Sequence, residues 1–311
     1  MGDTISMLFE NVIGQSDLKK TLALYVNAFH KGEVFPCVLL NSAPGAGKTT
    51  FCRELARELG KPLVEINASR IKTVKQLVNQ VFREWQGKEV TFFIDEAHAL
   101  SKPVETFLLS AIPTGSQTSV TVNYSDADGN DGPLTFDYSL MTIFMATTEK
   151  HEMFKPLVDR LYVLTFEEYN KEQLASIIER NLGFPLLDCA KEFLPKYCRG
   201  NARSAAKLGV DLRRYCIVND ISEVDELYAE IAVDELGLFL YGLNSEELKT
   251  LKIIADHPNG ITITQLKAKT NLNMNAQRDV ESFLLRNSLI NVKGIREVTN
   301  AGRRYIDSLK K

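Results

Sequence analysis

The sequence predicts an α/β chain built on a parallel sheet, continued by an all-helical segment and closed by a winged-helix module. Three observations carry this. Short apolar runs alternate with amphipathic stretches through the first half, as strands buried on both faces alternate with crossover helices. A glycine-rich stretch, "NSAPGAGKTT" (41–50), lies between one such run and one such helix. Residues 235–311 hold three helical patterns followed by a β-rich end.

Taken in order, residues 17–31 read as a helix with Leu18, Leu22, Tyr25, Val26 and Phe29 on one face. "FPCVLLN" (35–41) reads as a buried strand. Residues 48–59 have helical spacing, and Gly60 follows as a stop signal. "LVEIN" (63–67) and "VTFFIDE" (90–96) read as strands on either side of a helix at 72–85, and "VETFLLSAI" (104–112) as a helix. "TSVTVNY" and "PLTFDY" flank the turn-forming "SDADGNDG", which predicts a hairpin over 118–138. "MTIFMATT" (141–148) and "LYVLTF" (161–166) complete the strands. From Tyr169 to about Asp234 the pattern is helical throughout. After "VDELGL" (233–238) come helices in "SEELKTLKIIADHP", "ITQLKAKTNL" and "NAQRDVESFLLRNSLI". "INVKGIREVTNAGRRYI" then reads as a two-stranded wing. The expected domains are 1–166, 167–234 and 235–311.

A chain of 311 residues with 44% hydrophobic content has room for two or three cores. Its net charge of −3 gives no chain-wide basic signal for nucleic acid. The balance is uneven, however: residues 235–311 carry 12 Lys+Arg against 8 Asp+Glu, a basic end on an acidic body. The N-terminus shows no secretory pattern, although "MGDTIS" fits the M-G-x-x-x-[ST] myristoylation pattern. No apolar run approaches the roughly 18 residues of a membrane span. The five cysteines are odd in number and lack metal-ligand spacing, and read as buried thiols of a cytoplasmic protein. The four histidines are scattered and make no case for a metal site.

The chemistry sits in residues 41–50. Successive backbone N–H groups and a helix N-terminus bind phosphate, and Gly45 and Gly47 stand where the backbone must approach a ligand or take positive φ. Lys48 can reach the β- and γ-phosphates of ATP, and Thr49 can offer its hydroxyl to Mg²⁺. The pattern G-x-x-x-x-G-K-[ST] has Ser42 in place of its first glycine. That position is farthest from the phosphates, so Ser42 departs from the pattern more than from the chemistry, at about 1 kcal/mol if its φ is positive. Asp95 and Glu96 end a buried strand about 47 residues further on. Asp95 can join the Mg²⁺ shell and Glu96 can polarise a water; the bland alternative is a glycine-rich turn and a solvated strand end.

"SAPGAGKTT", "FFIDEAHAL", "FMATTE", "PLVDR" and "CRGNARSAAKL", with "IGQSDLKKTL", "YNKEQLASII" and "VDELGL", resemble the AAA+ ATPases, and among them the RuvB family of Holliday-junction branch-migration motors. The resemblance runs from about Phe9 to Tyr305. It implies a P-loop AAA+ parallel sheet domain, an all-α lid domain and a C-terminal winged-helix domain. It also implies an ATPase of a hexameric ring that moves duplex DNA or four-way junctions, with Pro44, Gly45, Ala46, Gly47, Lys48, Thr49 and Thr50 around the phosphates. By the same resemblance Thr148 is the γ-phosphate sensor and Arg160 the arginine finger reaching into a neighbouring subunit. Arg203 is then the lid's sensor, and Ile13, Gly14 and Tyr169 line the adenine pocket. Lys293, Arg296, Arg303 and Arg304 are expected to contact DNA phosphates.

Several departures stand out. The family's "GPPGLGKT" has become "SAPGAGKT", and the usual two arginines of "PLRDRF" are reduced to one, with Val158 and Leu161 in place. The wing loop is "VKGIR", and the hairpin that docks the partner RuvA in the family is acidic here (Asp126, Asp128, Asp131). An adaptor at 118–138 is therefore expected without being fixed as RuvA. Two other functions remain compatible with the sequence: a clamp-loader or helicase-loader ATPase of replication, and a DNA-binding module with a relic loop.

Overall fold

The apolar runs of the first half form the expected sheet. The computed structural model describes residues 8–85, 87–115, 117–125 and 131–309. The myristoylation pattern and Asp126 and Asp128 lie outside the described residues, as does the side chain of Asp131. The strands are β1 (Val38–Asn41), β2 (Leu63–Asn67), β3 (Val90–Asp95), β4 (Ser119–Ser125), β5 (Asp131–Asp137), β6 (Met141–Thr147) and β7 (Tyr162–Thr165). Five of them make a parallel sheet in the order β2-β3-β6-β1-β7. Successive side chains point to opposite faces. Phe92, Ile94 and Met145 enter one core, while Phe93, Phe144 and Leu40 enter the other. α1 (Ser16–Phe29) and α2 (Lys48–Glu58) cover the second face through Leu18, Leu22, Phe51 and Leu55. α3 (Val74–Trp85) and α4 (Lys102–Ala111) cover the first through Leu77, Val81, Val104 and Leu108. α2 stops where expected, with Gly60 at φ +68° just beyond its C-cap.

β4 and β5 form the predicted hairpin. Val122 and Phe136 join the α3/α4 core, and the buried Tyr138 donates its hydroxyl proton to the Ala111 carbonyl at 2.9 Å. Thr121 and Thr135 face outward and share a hydrogen bond of 2.8 Å. A short α5 (Lys155–Val158) leads into β7. These elements belong to one unit, Met1–Gln173 with Asn201–Arg203.

The other unit comprises Leu174–Gly200 and Ser204–Lys311. Its helices are α6 (Lys171–Leu182), α7 (Asp188–Phe193), α8 (Ala202–Val218), α9 (Glu226–Glu235), α10 (Ser245–Ala255), α11 (Ile263–Thr270) and α12 (Met274–Arg286). β8 (Ile290–Lys293) and β9 (Ile295–Val298) form the wing. Local signals start the helices: Asn244 with Glu247 and Thr262 with Gln265 make capping boxes on α10 and α11. The wing is shorter than the sequence predicts. Thr299 accepts the Gly302 N–H at 3.0 Å and opens a further helix, α13 (Asn300–Ser308). Arg303 and Arg304 are thus helical residues, not wing residues. Within this unit Arg199 joins the lid segment to the winged helix. It donates to both Glu247 carboxylate oxygens (2.8 and 2.7 Å) and to the Gly242 carbonyl (3.2 Å), and stacks 3.7 Å over the Phe283 ring. Among the described residues no helix is long and apolar enough to cross a membrane.

One cysteine departs from expectation. Cys37, Cys52, Cys198 and Cys216 are buried, but Cys189 is exposed in the first turn of α7. Burial pushes the Cys37 and Cys198 thiols up to about 12. Iodoacetamide on the folded protein is therefore expected to alkylate Cys189 and spare the other four, as peptide mass spectrometry would read. A second expectation concerns Gly209, in mid-α8, where an added Cβ would lie 2.4 Å from the Ile178 carbonyl oxygen. Alanine ordinarily favours a helix interior by roughly 1 kcal/mol over glycine. Here the backbone contact reverses the sign, and Gly209→Ala should cost about 1–3 kcal/mol in chemical denaturation.

Candidate functional site

The glycine-rich loop leaves the carboxyl end of β1, whose last residue, Asn41, lies opposite Thr147 of β6 and Thr165 of β7. Ser42 is buried and is not among the residues at positive φ, so its substitution for glycine carries no left-handed strain. Its N–H donates to the Thr147 carbonyl at 3.2 Å, and its hydroxyl accepts from Lys48 Nζ at 3.0 Å. The glycines further along are needed. Gly45 and Gly47 take φ of +79° and +91°, and a Cβ on Gly45 would meet Asn201 Oδ1 at 2.8 Å. α2 begins at Lys48 with Gly47 as N-cap and no side-chain cap, so the positive end of the helix and its first N–H groups are open to an anion. This is the donor set that a nucleotide's phosphates require, and the residues fit that group.

Lys48 is itself buried, which lowers its pKa below the ordinary lysine range; Asp95 and Glu96 oppose that shift and Arg203 adds to it. Asp95 ends β3 and its Oδ1 accepts the Glu96 N–H at 2.9 Å. Glu96 stands at φ 55°, in the left-handed region. Thr49, in the first turn of α2, and Asp95 are both half-buried. A hydroxyl and a carboxylate are oxygen donors of the kind that would hold Mg²⁺ beside phosphate. Thr148, the expected sensor, is half-buried one residue beyond β6.

On the other side of the loop, Tyr169 donates its hydroxyl proton to the Ala46 carbonyl at 2.9 Å, and burial raises its pKa. The Arg203 N–H donates to the Gly45 carbonyl at 3.0 Å, while its side chain is exposed. Gly14, at φ +68°, follows the half-buried Ile13 and has no room for a Cβ beside Gln173. Pro44 is exposed on the loop, Thr50 is exposed in the first turn of α2, and Ala46 is buried. Loop, acids, Tyr169 and the start of α8 thus meet within one unit.

Arg160 is not with them. It precedes β7 at the amino end of the strands, whereas Lys48 follows their carboxyl ends, and β1 alone spans about 13 Å. Arg160 donates to the carbonyls of Leu109 and Ile112 and borders a cavity of about 620 Å³ with Tyr25, Phe35 and Tyr162. Of the expected DNA contacts, Lys293, Arg303 and Arg304 are exposed. Arg296 is a correction. It is buried and donates to both oxygens of Glu281 at 3.0 Å and to the Gly294 carbonyl at 3.1 Å, so its charge is spent inside the module.

Sequence reasoning missed four residues that build the site. Buried Gln15 exchanges two hydrogen bonds with the Glu167 backbone (3.0 and 2.8 Å), Asn201 crowds Gly45, and Thr147 bonds His98 at 3.0 Å. Gln15 and His98 each stand beside a motif, next to Gly14 and three residues after Asp95.

Residues 6–166 match the family model described as the Holliday junction DNA helicase RuvB P-loop domain. The chain is 30% identical over 252 residues to the Holliday junction branch migration complex subunit RuvB of Gluconobacter oxydans, covering 79% of this chain and 70% of that one. It is 26% identical over 301 residues to the same subunit of Rickettsia africae, covering 94% and 85%. It is also similar to the solved Thermotoga maritima RuvB Holliday junction branch migration motor, at 25% identity and a TM-score of 0.74, covering 96% and 97%.

The buried pair sets a stability expectation. Arg296→Ala leaves Glu281 uncompensated and should cost about 3–5 kcal/mol, whereas Lys293→Ala should stay within about 0.5 kcal/mol. Amide hydrogen exchange across residues 245–308 reads this module's own opening and would separate the two.

Proposed function

The chain belongs to the RuvB family, and from that premise we propose that it works as a ring-forming, ATP-driven motor on duplex or four-way-junction DNA. Bound ATP and Mg²⁺ supply a phosphoryl group activated for transfer to water. Pro44, Gly45, Ala46, Gly47, Thr49 and Thr50 hold the phosphates, with Lys48 as the local positive charge. Thr49 and Asp95 hold the metal, and Glu96 takes a proton from the attacking water. Thr148 and Arg203 orient the reacting end, and Ile13, Gly14 and Tyr169 hold the base.

The observation that carries this reading is the separation of Lys48 from Arg160 across the sheet. A chain whose finger lies at the amino ends of its strands cannot complete the site at their carboxyl ends. In this reading Arg160 serves a neighbour, where such fingers contribute roughly 10³–10⁵ in rate. Each site is then a property of two chains, and in this reading the head-to-tail contact closes into a ring, a hexamer.

Lys293, Arg303 and Arg304 supply phosphate contacts that position DNA without reading its sequence. An adaptor docks on the hairpin of β4 and β5, and the protein works in the cytoplasm, on DNA. A loader ATPase of replication shares the nucleotide site, but the winged helix favours the motor. The relic-loop alternative draws on Ser42 and Ala43; of these, Ser42 keeps ordinary backbone geometry and engages Lys48.

The test is ATP turnover with and without four-way-junction DNA. Lys48→Ala and Arg160→Ala should each abolish the rate, and mixing the two dead variants should restore part of it, because mixed interfaces pair an intact loop with an intact finger. Two dead variants that stay dead when mixed would contradict the shared site.

A further inference from the structure

Beside Glu96 lies a polar cluster that, among the described residues, touches neither the phosphate loop nor Arg203 in any hydrogen bond of the His98 and Glu96 side chains. His98 stands in the turn after β3, half-buried. Its Nδ1 is 3.0 Å from the Thr147 hydroxyl and its Nε2 is 3.5 Å from Glu96 Oε2. Thr147 is fully buried at the end of β6, and its hydroxyl oxygen accepts the Glu149 N–H at 3.0 Å. The carboxylate end of this chain selects the tautomer of the neutral imidazole. The nitrogen facing the Glu96 carboxylate must carry a proton, because a lone pair there would face negative charge. Nδ1 is then the acceptor, and the Thr147 hydroxyl donates a hydrogen bond to it. The polar chain runs from the Glu149 N–H through Thr147 and His98 to Glu96.

Glu96 needs such a partner. Its backbone is fixed at φ 55° with the N–H given to Asp95, but its side chain is 46% exposed, so packing alone does not hold the carboxylate.

We propose that His98 is a positioning residue for ATP hydrolysis: it holds the Glu96 carboxylate in the orientation from which Glu96 accepts the proton of water, and Thr147 holds His98. The inference rests on the ATPase reading above. It also gives strand β6 two tasks. Thr148 faces the reacting phosphate in that reading, and its neighbour Thr147 sets the base through two polar contacts. A small shift of the strand end then acts on sensor and base together.

The experiment measures ATP turnover with four-way-junction DNA and, separately, binding of a fluorescent ADP analogue. The proteins are wild type, His98→Leu, His98→Gln, Thr147→Val and the His98→Leu/Thr147→Val double variant. His98→Leu and Thr147→Val should each lower kcat about ten- to a hundredfold, the range for groups that orient a reacting side chain. KM for ATP and affinity for the analogue should stay within about twofold, since only the chemical step is touched. The double variant should be no worse than either single one, because both cut the same chain. His98→Gln keeps an N–H donor near Nε2 and should recover part of the loss, which a merely structural histidine would not predict. Wild-type turnover in His98→Leu, additive losses in the double variant, or a loss confined to analogue affinity would each overturn the proposal. A wild-type protein that binds the analogue yet never hydrolyses ATP would instead bring down the ATPase reading, and the inference with it.

Discussion

The molecule's chemistry depends on one register. β1 lies between β6 and β7, with Asn41 level with Thr147 and Thr165, and β3 lies on the far side of β6. Because all these strands run parallel, the loop after β1, the acids at the end of β3 and the threonines at the end of β6 emerge on one edge. Slipping any strand by one residue would exchange its two faces and bury the wrong set of side chains. The cores on the two sides, which divide Phe92 from Phe93 and Met145 from Phe144, therefore hold the site in register as well as the fold.

The sheet was legible because its strands announce themselves twice, as apolar runs and by the helices between them. The phosphate loop was legible because its glycines answer a backbone requirement that few other residues meet. What stayed hidden depends on partners distant in sequence. Arg296 reads as a wing cation until Glu281, fifteen residues earlier on α12, is seen to claim it. The end of the wing is hidden because Thr299 caps a helix where the alternation of "INVKGIREV" continues in the sequence. Cys189 looked like its four companions because nothing local distinguishes the exposed first turn of α7. His98 carries no local signal because its contacts lie elsewhere, Thr147 on β6 and Glu96 just after β3.

Ser42 shows how a pattern and its physics can part. The pattern asks for glycine, but the position has no need of positive φ in this chain. The hydroxyl gained there gives the Lys48 ammonium a neutral oxygen at 3.0 Å in a buried setting. Burial disfavours the charged lysine, and an oriented oxygen offsets part of that cost. The substitution thus changes how the lysine is held, while the backbone that receives phosphate remains as the glycines shape it.

The grip of Arg199 bears on how such chains can be rebuilt. One guanidinium engages Glu247 at the start of α10 and lies flat on Phe283 of α12, and its own segment is only four residues upstream of Arg203. Glu247 is at the same time the closing half of the capping box that starts α10. The winged helix is therefore not a cassette that can be exchanged at a linker. A transplanted module would have to bring an acid and an aromatic ring to the same two places, and the acid would also have to begin its first helix. In this architecture the boundary between lid and winged-helix module is as sequence-specific as a core, and homologous recombination between family members would tolerate crossovers inside either part more readily than between them.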